Sequence, residues 1–134
     1  KGIDILKNIE LKINGKIIYC TNLSWRKTMT ILKSSTLLIV PSRMESIPQV
    51  IKEAFFLKIP VIATSVGGIP EMIENKKNGI LIPPENPDKM IEAINNLLTN
   101  SLLVDTLTKN AFDFINKNFT WDVLIDKYLE LYKN

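Results

Sequence analysis

Four short apolar runs, each closed off by turn residues, constrain this chain more than any other feature. Lys16-Ile17-Ile18-Tyr19-Cys20 follows Asn14-Gly15, and Thr36-Leu37-Leu38-Ile39-Val40 stops at Pro41. Pro60-Val61-Ile62-Ala63-Thr64 stops before Gly67-Gly68, and Gly79-Ile80-Leu81-Ile82 stops at Pro83-Pro84. The runs are rich in β-branched residues and continuously apolar instead of alternating. That is the pattern of strands covered on both faces in a parallel sheet.

Helical signals fill the gaps between them. Ser24 caps a helix to about Lys33. Pro48 suits the first turn of a helix to about Leu57, where its missing N–H costs nothing. Pro70 opens a short helix, and Asn86-Pro87-Asp88 supplies a cap, a first-turn proline and a dipole-favourable acid. Ser101 caps another helix, and Thr120 a last one carrying Trp121, Leu124, Ile125, Tyr128, Leu129 and Tyr132. Asp4 to Ile13 has Ile5, Leu6, Ile9 and Ile13 on one helical face. The order β-α-β-α-β-α-β-α-α-α predicts an α/β chain, a doubly wound Rossmann-like parallel sheet in three α/β/α layers.

Composition narrows the chemistry. The 134 residues make one domain, with no histidine and a single cysteine, Cys20. His-based acid/base catalysis, Ser-His-Asp and Cys-His systems, internal disulfides and cysteine metal clusters are all excluded. Carboxylates, lysines, backbone amides and helix dipoles remain. The net charge is +3, from scattered lysines and only two arginines, Arg26 and Arg43. A nucleic-acid binder shows a basic stripe with interleaved aromatics or arginines, which is missing here. There is no run long enough for a membrane span and no apolar leader after a charged start, so a cytoplasmic-type chain is expected. The first residue is Lys, which fits a piece of something longer.

Ligands of such sheets sit beyond the carboxyl ends of the strands. Those ends carry Cys20-Thr21-Asn22, Pro41 to Ser46, Thr64 to Gly68 and Pro83-Pro84-Glu85. Glu45 lies just past a strand end, and Glu53 lies eight residues later at the border of the next helix's apolar stripe. The helix mouth, with the free N–H groups of Gln49 and Val50, favours a phosphate. Carboxylates there accept hydrogen bonds from sugar hydroxyls, and a nucleotide sugar offers both groups. The plainer alternative is a loop acid and a solvated helix acid. Gly67-Gly68 either lets backbone approach a ligand or makes a simple tight turn. Cys20 reads as a small buried apolar residue, and Trp25 and Trp121 as packing anchors. No G-x-G-x-x-G after a strand, no P-loop, no G-x-S-x-G and no acidic metal-ligand spacing is present.

Three segments carry a resemblance. Pro41-Ser42-Arg43-Met44-Glu45-Ser46-Ile47-Pro48-Gln49-Val50-Ile51-Lys52-Glu53-Ala54, then Ile59 to Glu71 with Gly67-Gly68, then Asn78-Gly79-Ile80-Leu81-Ile82-Pro83-Pro84, stand in order at strand ends. Together they closely resemble the C-terminal, donor-binding half of family 4 (group 1) retaining glycosyltransferases of the GT-B fold. Glu45 and Glu53 match that family's E-x7-E motif, and Phe119-Thr120-Trp121 to Tyr132 looks like its terminal helix. The resemblance implies that residues 1–134 are a nucleotide-sugar-binding domain of a larger two-domain enzyme.

It also implies residue roles. Glu45 would be the catalytic-site acid that contacts the donor sugar, and Glu53 would bond the ribose. Ser46, Ile47, Gln49, Val50, Gly67 and Gly68 would hold the sugar and diphosphate. Cys20, Thr21 and Asn22 would lie near the base. A UDP-, GDP- or ADP-sugar would be the donor substrate, with no metal and no further cofactor. Pro48 stands where many members have glycine. Lys1-Gly2-Ile3-Asp4 looks like the segment that carries the family's diphosphate lysine, but it lies too close to the next strand to include the strand between. The sheet's first strands and the N-terminal acceptor domain are therefore expected to be missing. The full-length enzyme would associate peripherally with a membrane, at its inner face.

Two other readings share this sequence. One is a non-catalytic nucleotide-sugar module paired with a separate acceptor chain. The other is the matching half of a GT-B sugar-nucleotide epimerase.

Overall fold

The computed structural model describes residues 2–119 together with Asp126 and Glu130. The helix expected from Thr120 to Tyr132, with Trp121, and the role expected of Lys1 fall outside the described residues. Helix α1 (Ile3–Ile9) runs into a 3-10 turn at Glu10–Lys12, so the helix expected to Ile13 ends in a tightened last turn. Helix α2 (Trp25–Lys33) leads to strand β1 (Leu38–Val40), then helix α3 (Gln49–Phe56), strand β2 (Val61–Thr64) and helix α4 (Ile69–Met72). Strand β3 (Ile80–Ile82) and helices α5 (Pro87–Thr99) and α6 (Ser101–Asn118) follow.

The three strands form one parallel sheet in the order β1-β2-β3. The register sets Ile39 beside Ile62 and Ile62 beside Ile80, while Val40, Ala63 and Leu81 form the next row. Neighbouring rows point to opposite faces. Val61 and Ala63 join a core with Met29, Leu32, Ile51, Phe55, Ile69 and Ile115. Ile62, Ile80 and Ile82 join a second core with Leu6, Ile9, Met90, Ile94 and Leu107. Helices α2, α3 and α4 thus cover one face, α1 and α5 the other, and α6 contributes to both. All of β2 is buried. The continuous apolar runs were the right signal for this centre of the sheet, because a strand with helices on both faces has no solvent side to be polar.

The run at 16–20 is a correction. Among the described residues it forms no ladder with the sheet. Ile17 and Tyr19 pack against the second core while Ile18 is 58% exposed. Covered on one side only, the segment alternates in burial and acts as a strap over α5's face of the molecule. Cys20, expected to be buried, is exposed at its end.

Caps follow the sequence closely. Ser24 Oγ accepts from Lys27 N (3.2 Å) and Asn86 Oδ1 from Lys89 N (3.0 Å). The cap of α6 is Asn100, whose Oδ1 accepts from Leu103 N at 3.1 Å, so the expected Ser101 is its first helical residue. An amide oxygen one position earlier reaches the same orphan donor. Pro48 is likewise the cap of α3 instead of lying within its first turn. Among the described residues no helix is long and apolar enough to cross a membrane.

Candidate functional site at the carboxyl edge of the sheet

The loops after β1, β2 and β3 emerge at one edge. Thr64, the last residue of β2, is buried and its Oγ1 donates to Ser42 O at 2.6 Å. That bond ties the β1–α3 loop to the end of the central strand. Ser42 is itself buried, and its Oγ donates to Glu45 Oε2 at 3.3 Å. Glu45 is half-buried, so its carboxylate is held by a buried hydroxyl while remaining open to solvent.

Gly67 and Gly68 close onto this loop. Gly67 has φ +55°, and a Cβ on it would lie 1.6 Å from Glu45 O. A Cβ on Gly68 would lie 2.4 Å from Ser46 O, and Gly68 N donates to that same oxygen at 2.7 Å. The glycines serve a close approach of two backbones as well as a turn. They bring Glu45, Ser46, Ile47, Gly67 and Gly68 into one wall. Gln49, which is exposed, and the half-buried Val50 open α3 directly behind it. The first amides of a helix have no intrahelical acceptor, and the helix dipole adds partial positive charge there. The eight-residue helix therefore presents an anion-favouring mouth beside a carboxylate.

Glu53 is not a solvated helix acid. It is 2% exposed, and the Trp25 indole Nε1 donates to its Oε1 at 2.6 Å. Trp25 packs on the first core, as expected of an anchor, and also serves as this donor. Cys20, Thr21 and Asn22 are exposed just ahead of α2, and Asn22 takes φ +58°. The structure thus links that loop to Glu53 through Trp25. Although Cys20 is exposed as a residue, partial desolvation of its thiol raises the pKa above its ordinary range, which works against a nucleophilic thiolate.

Three participants were missed from the sequence: Ser42, Trp25 and the arginine at position 43. Arg43 makes a two-pronged pair with Asp4 (3.0 and 2.8 Å) and a further pair with Glu85. It joins the first turn of α1, the β1–α3 loop and the loop after β3. Hydrogen bonding from Arg43 holds the Asp4 carboxyl below its ordinary range, and the two acids raise the guanidinium's pKa in turn. No local pattern marks these pairings, which span 39 and 42 positions of the chain. An open concavity of about 330 Å³ lies elsewhere, between α4 and α6, lined by Glu71, Glu74, Lys77, Asn110 and Phe114 among others. It includes no residue of the 41–48 loop.

The family described as "Glycosyl transferases group 1" matches residues 5–114. An uncharacterised glycosyltransferase of Methanocaldococcus jannaschii is 33% identical over 82% of this chain and 31% of its own length. Sucrose-phosphate synthase from Thermosynechococcus elongatus has a similar fold, with a TM-score of 0.73 and 23% identity over 98% of this chain and 33% of that one. HepE of Anabaena, solved in complex with UDP-glucose, has a TM-score of 0.66 and 24% identity over 77% of this chain and 29% of that one. The chain spans about a third of the length of the curated relatives it matches (32% and 31%).

Proposed function

Because the chain belongs to the group 1 glycosyltransferases, we propose that residues 1–134 bind a nucleoside-diphosphate sugar at the carboxyl edge of the sheet. In the whole enzyme the sugar passes to an acceptor with retention of configuration. The observation that carries the reading is the interlock of the two loops. Gly67-Gly68 fits against Glu45-Ser46 so closely that no side chain could stand between them, directly at the mouth of α3. The UDP-glucose complex of the similar HepE supports a nucleotide-sugar ligand.

In the E-x7-E pair, Glu45 accepts hydrogen bonds from the donor sugar, and Glu53 is the acceptor for the ribose. The amides of Ile47, Gln49 and Val50 meet the diphosphate, with Ser46, Gly67 and Gly68 lining the pocket. Cys20-Thr21-Asn22 lies toward the base. No metal is needed, since amides and the helix dipole offset the diphosphate charge. As the bond from sugar to diphosphate breaks, positive charge develops on the sugar and negative charge on the leaving group. A carboxylate near the first and a helix N-terminus near the second stabilise that separation.

The acceptor is read by an N-terminal domain of the enzyme, so this chain by itself transfers no sugar. The enzyme works on the cytoplasmic side, at a membrane surface. Calorimetric titration with UDP-, GDP- and ADP-glucose tests the donor site. One of them should bind at micromolar to millimolar concentration, and no binding of any would defeat the proposal. Robust single-turnover transfer by the 134-residue chain would defeat its expected inactivity.

A further inference from the structure

Trp25 is the first residue of α2 and follows the exposed Cys20–Asn22 loop by three positions. Its indole N–H reaches across 28 positions of chain to Glu53. The start of α2 is held by Ser24 Oγ, which accepts from Lys27 N, and by the Trp25 ring, which packs on the first core, among other contacts. An indole is a donor only, on a side chain with few rotatable bonds. A carboxylate offers about four acceptor directions, so a fixed donor on one oxygen determines where the others point. Glu53 is a long side chain on α3 and is 2% exposed, so the donors that reach its carboxylate, the indole N–H among them, bear directly on the direction it faces.

We propose that Trp25 is the positioning residue of the nucleotide site. Its indole N–H sets the direction of the Glu53 carboxylate, so that recognition of the ribose hydroxyls depends on the start of α2. The inference rests on reading Glu53 as the ribose acceptor. It also explains why a residue so near the Cys20–Asn22 loop touches an acid on a distant helix: base and ribose contacts are built on one connected element.

The test uses the full 134-residue chain and whichever of UDP, GDP and ADP it binds tightest, beside the 2′-deoxy form of that nucleotide. Wild type should prefer the ribose form by about tenfold, the scale of one charge-assisted hydrogen bond. Trp25→Phe keeps the packing and removes the N–H. In that variant the preference should shrink to about twofold or less, with affinity for the 2′-deoxy form changed little. A merely structural role would weaken both nucleotides alike. If wild type shows no ribose preference, or no nucleotide binds, the reading of Glu53 falls and this inference with it. If wild type prefers ribose and Trp25→Phe keeps that preference, the inference alone falls. Should Trp25→Phe fail to fold, the assigned Trp25 indole N–H resonance of the wild-type chain decides. It should shift more with the ribose form than with the 2′-deoxy form, and equal shifts overturn the proposal.

Discussion

Replacing Gly67 with alanine probes the loop interlock on which the site depends. The φ of +55° places any side chain in the left-handed region, which costs about 1–2 kcal/mol for a non-glycine residue. The added methyl would sit 1.6 Å from Glu45 O, and a backbone oxygen cannot yield as a side-chain tip can. The β1–α3 loop or the β2–α4 turn must move by more than an ångström, at an overpacking cost of about 1–3 kcal/mol. That movement also strains the Gly68 N to Ser46 O bond, worth about 1 kcal/mol. Gly67→Ala should therefore lose about 2–5 kcal/mol of unfolding free energy in urea.

Gly15→Ala is the matched control. Its new methyl meets only Leu98 Cδ1 at 3.4 Å, an ordinary contact. The control should stay within about 0.5 kcal/mol of wild type. If Gly67→Ala unfolds at the same urea concentration as Gly15→Ala, the close approach of the two loops is wrong.

Glu53→Gln should weaken nucleoside-diphosphate binding by about 1.5–3 kcal/mol, read by calorimetry, because a charged acceptor becomes neutral. Unchanged affinity would remove its ribose role. Glu45→Gln should leave nucleoside-diphosphate affinity intact and cut the extra affinity that the attached sugar brings; equal losses with and without the sugar would contradict the assignment. The Arg43–Asp4 pair predicts a pH-dependent stability difference between wild type and Arg43→Gln. The folded Asp4 pKa lies below its usual 3.8, so the pair stabilises the fold above that value. The contribution fades as pH falls through the lowered folded value. Thermal unfolding should separate the two proteins at neutral pH, less so in high salt, and bring them together in strong acid. A difference that persists in strong acid would show that Arg43 acts by packing.

The strands of the sheet were legible because β1, β2 and β3 obey one physical rule, that a twice-covered strand is apolar throughout. The same rule misreads residues 16–20. An apolar run can strap one face of a core without joining a ladder, and composition alone does not show whether a partner strand lies alongside. Among the described residues helix starts were legible to within one residue, since Asn100 and Ser101 are both good caps and only geometry chooses between them. Glu45, the mouth of α3 and Gly67-Gly68 could be placed from their positions at strand ends. The burial of Glu53 could not, because a helical wheel set it at a border and its indole partner comes from another element. Arg43, Asp4 and Glu85 were equally hidden. Their pairing depends on the sheet bringing three distant segments to one edge.

The central claim is that the nucleotide sugar sits against the β1–α3 and β2–α4 loops. Backbone amide NMR of the 134-residue chain, titrated with the nucleotide sugar it binds best, tests that most directly. The amides of Ile47, Gln49, Val50 and Gly68 should move first and furthest, in step with occupancy. Perturbation confined to the α4–α6 concavity, at Glu74, Lys77 and Asn110, with those four amides unmoved, would contradict the account.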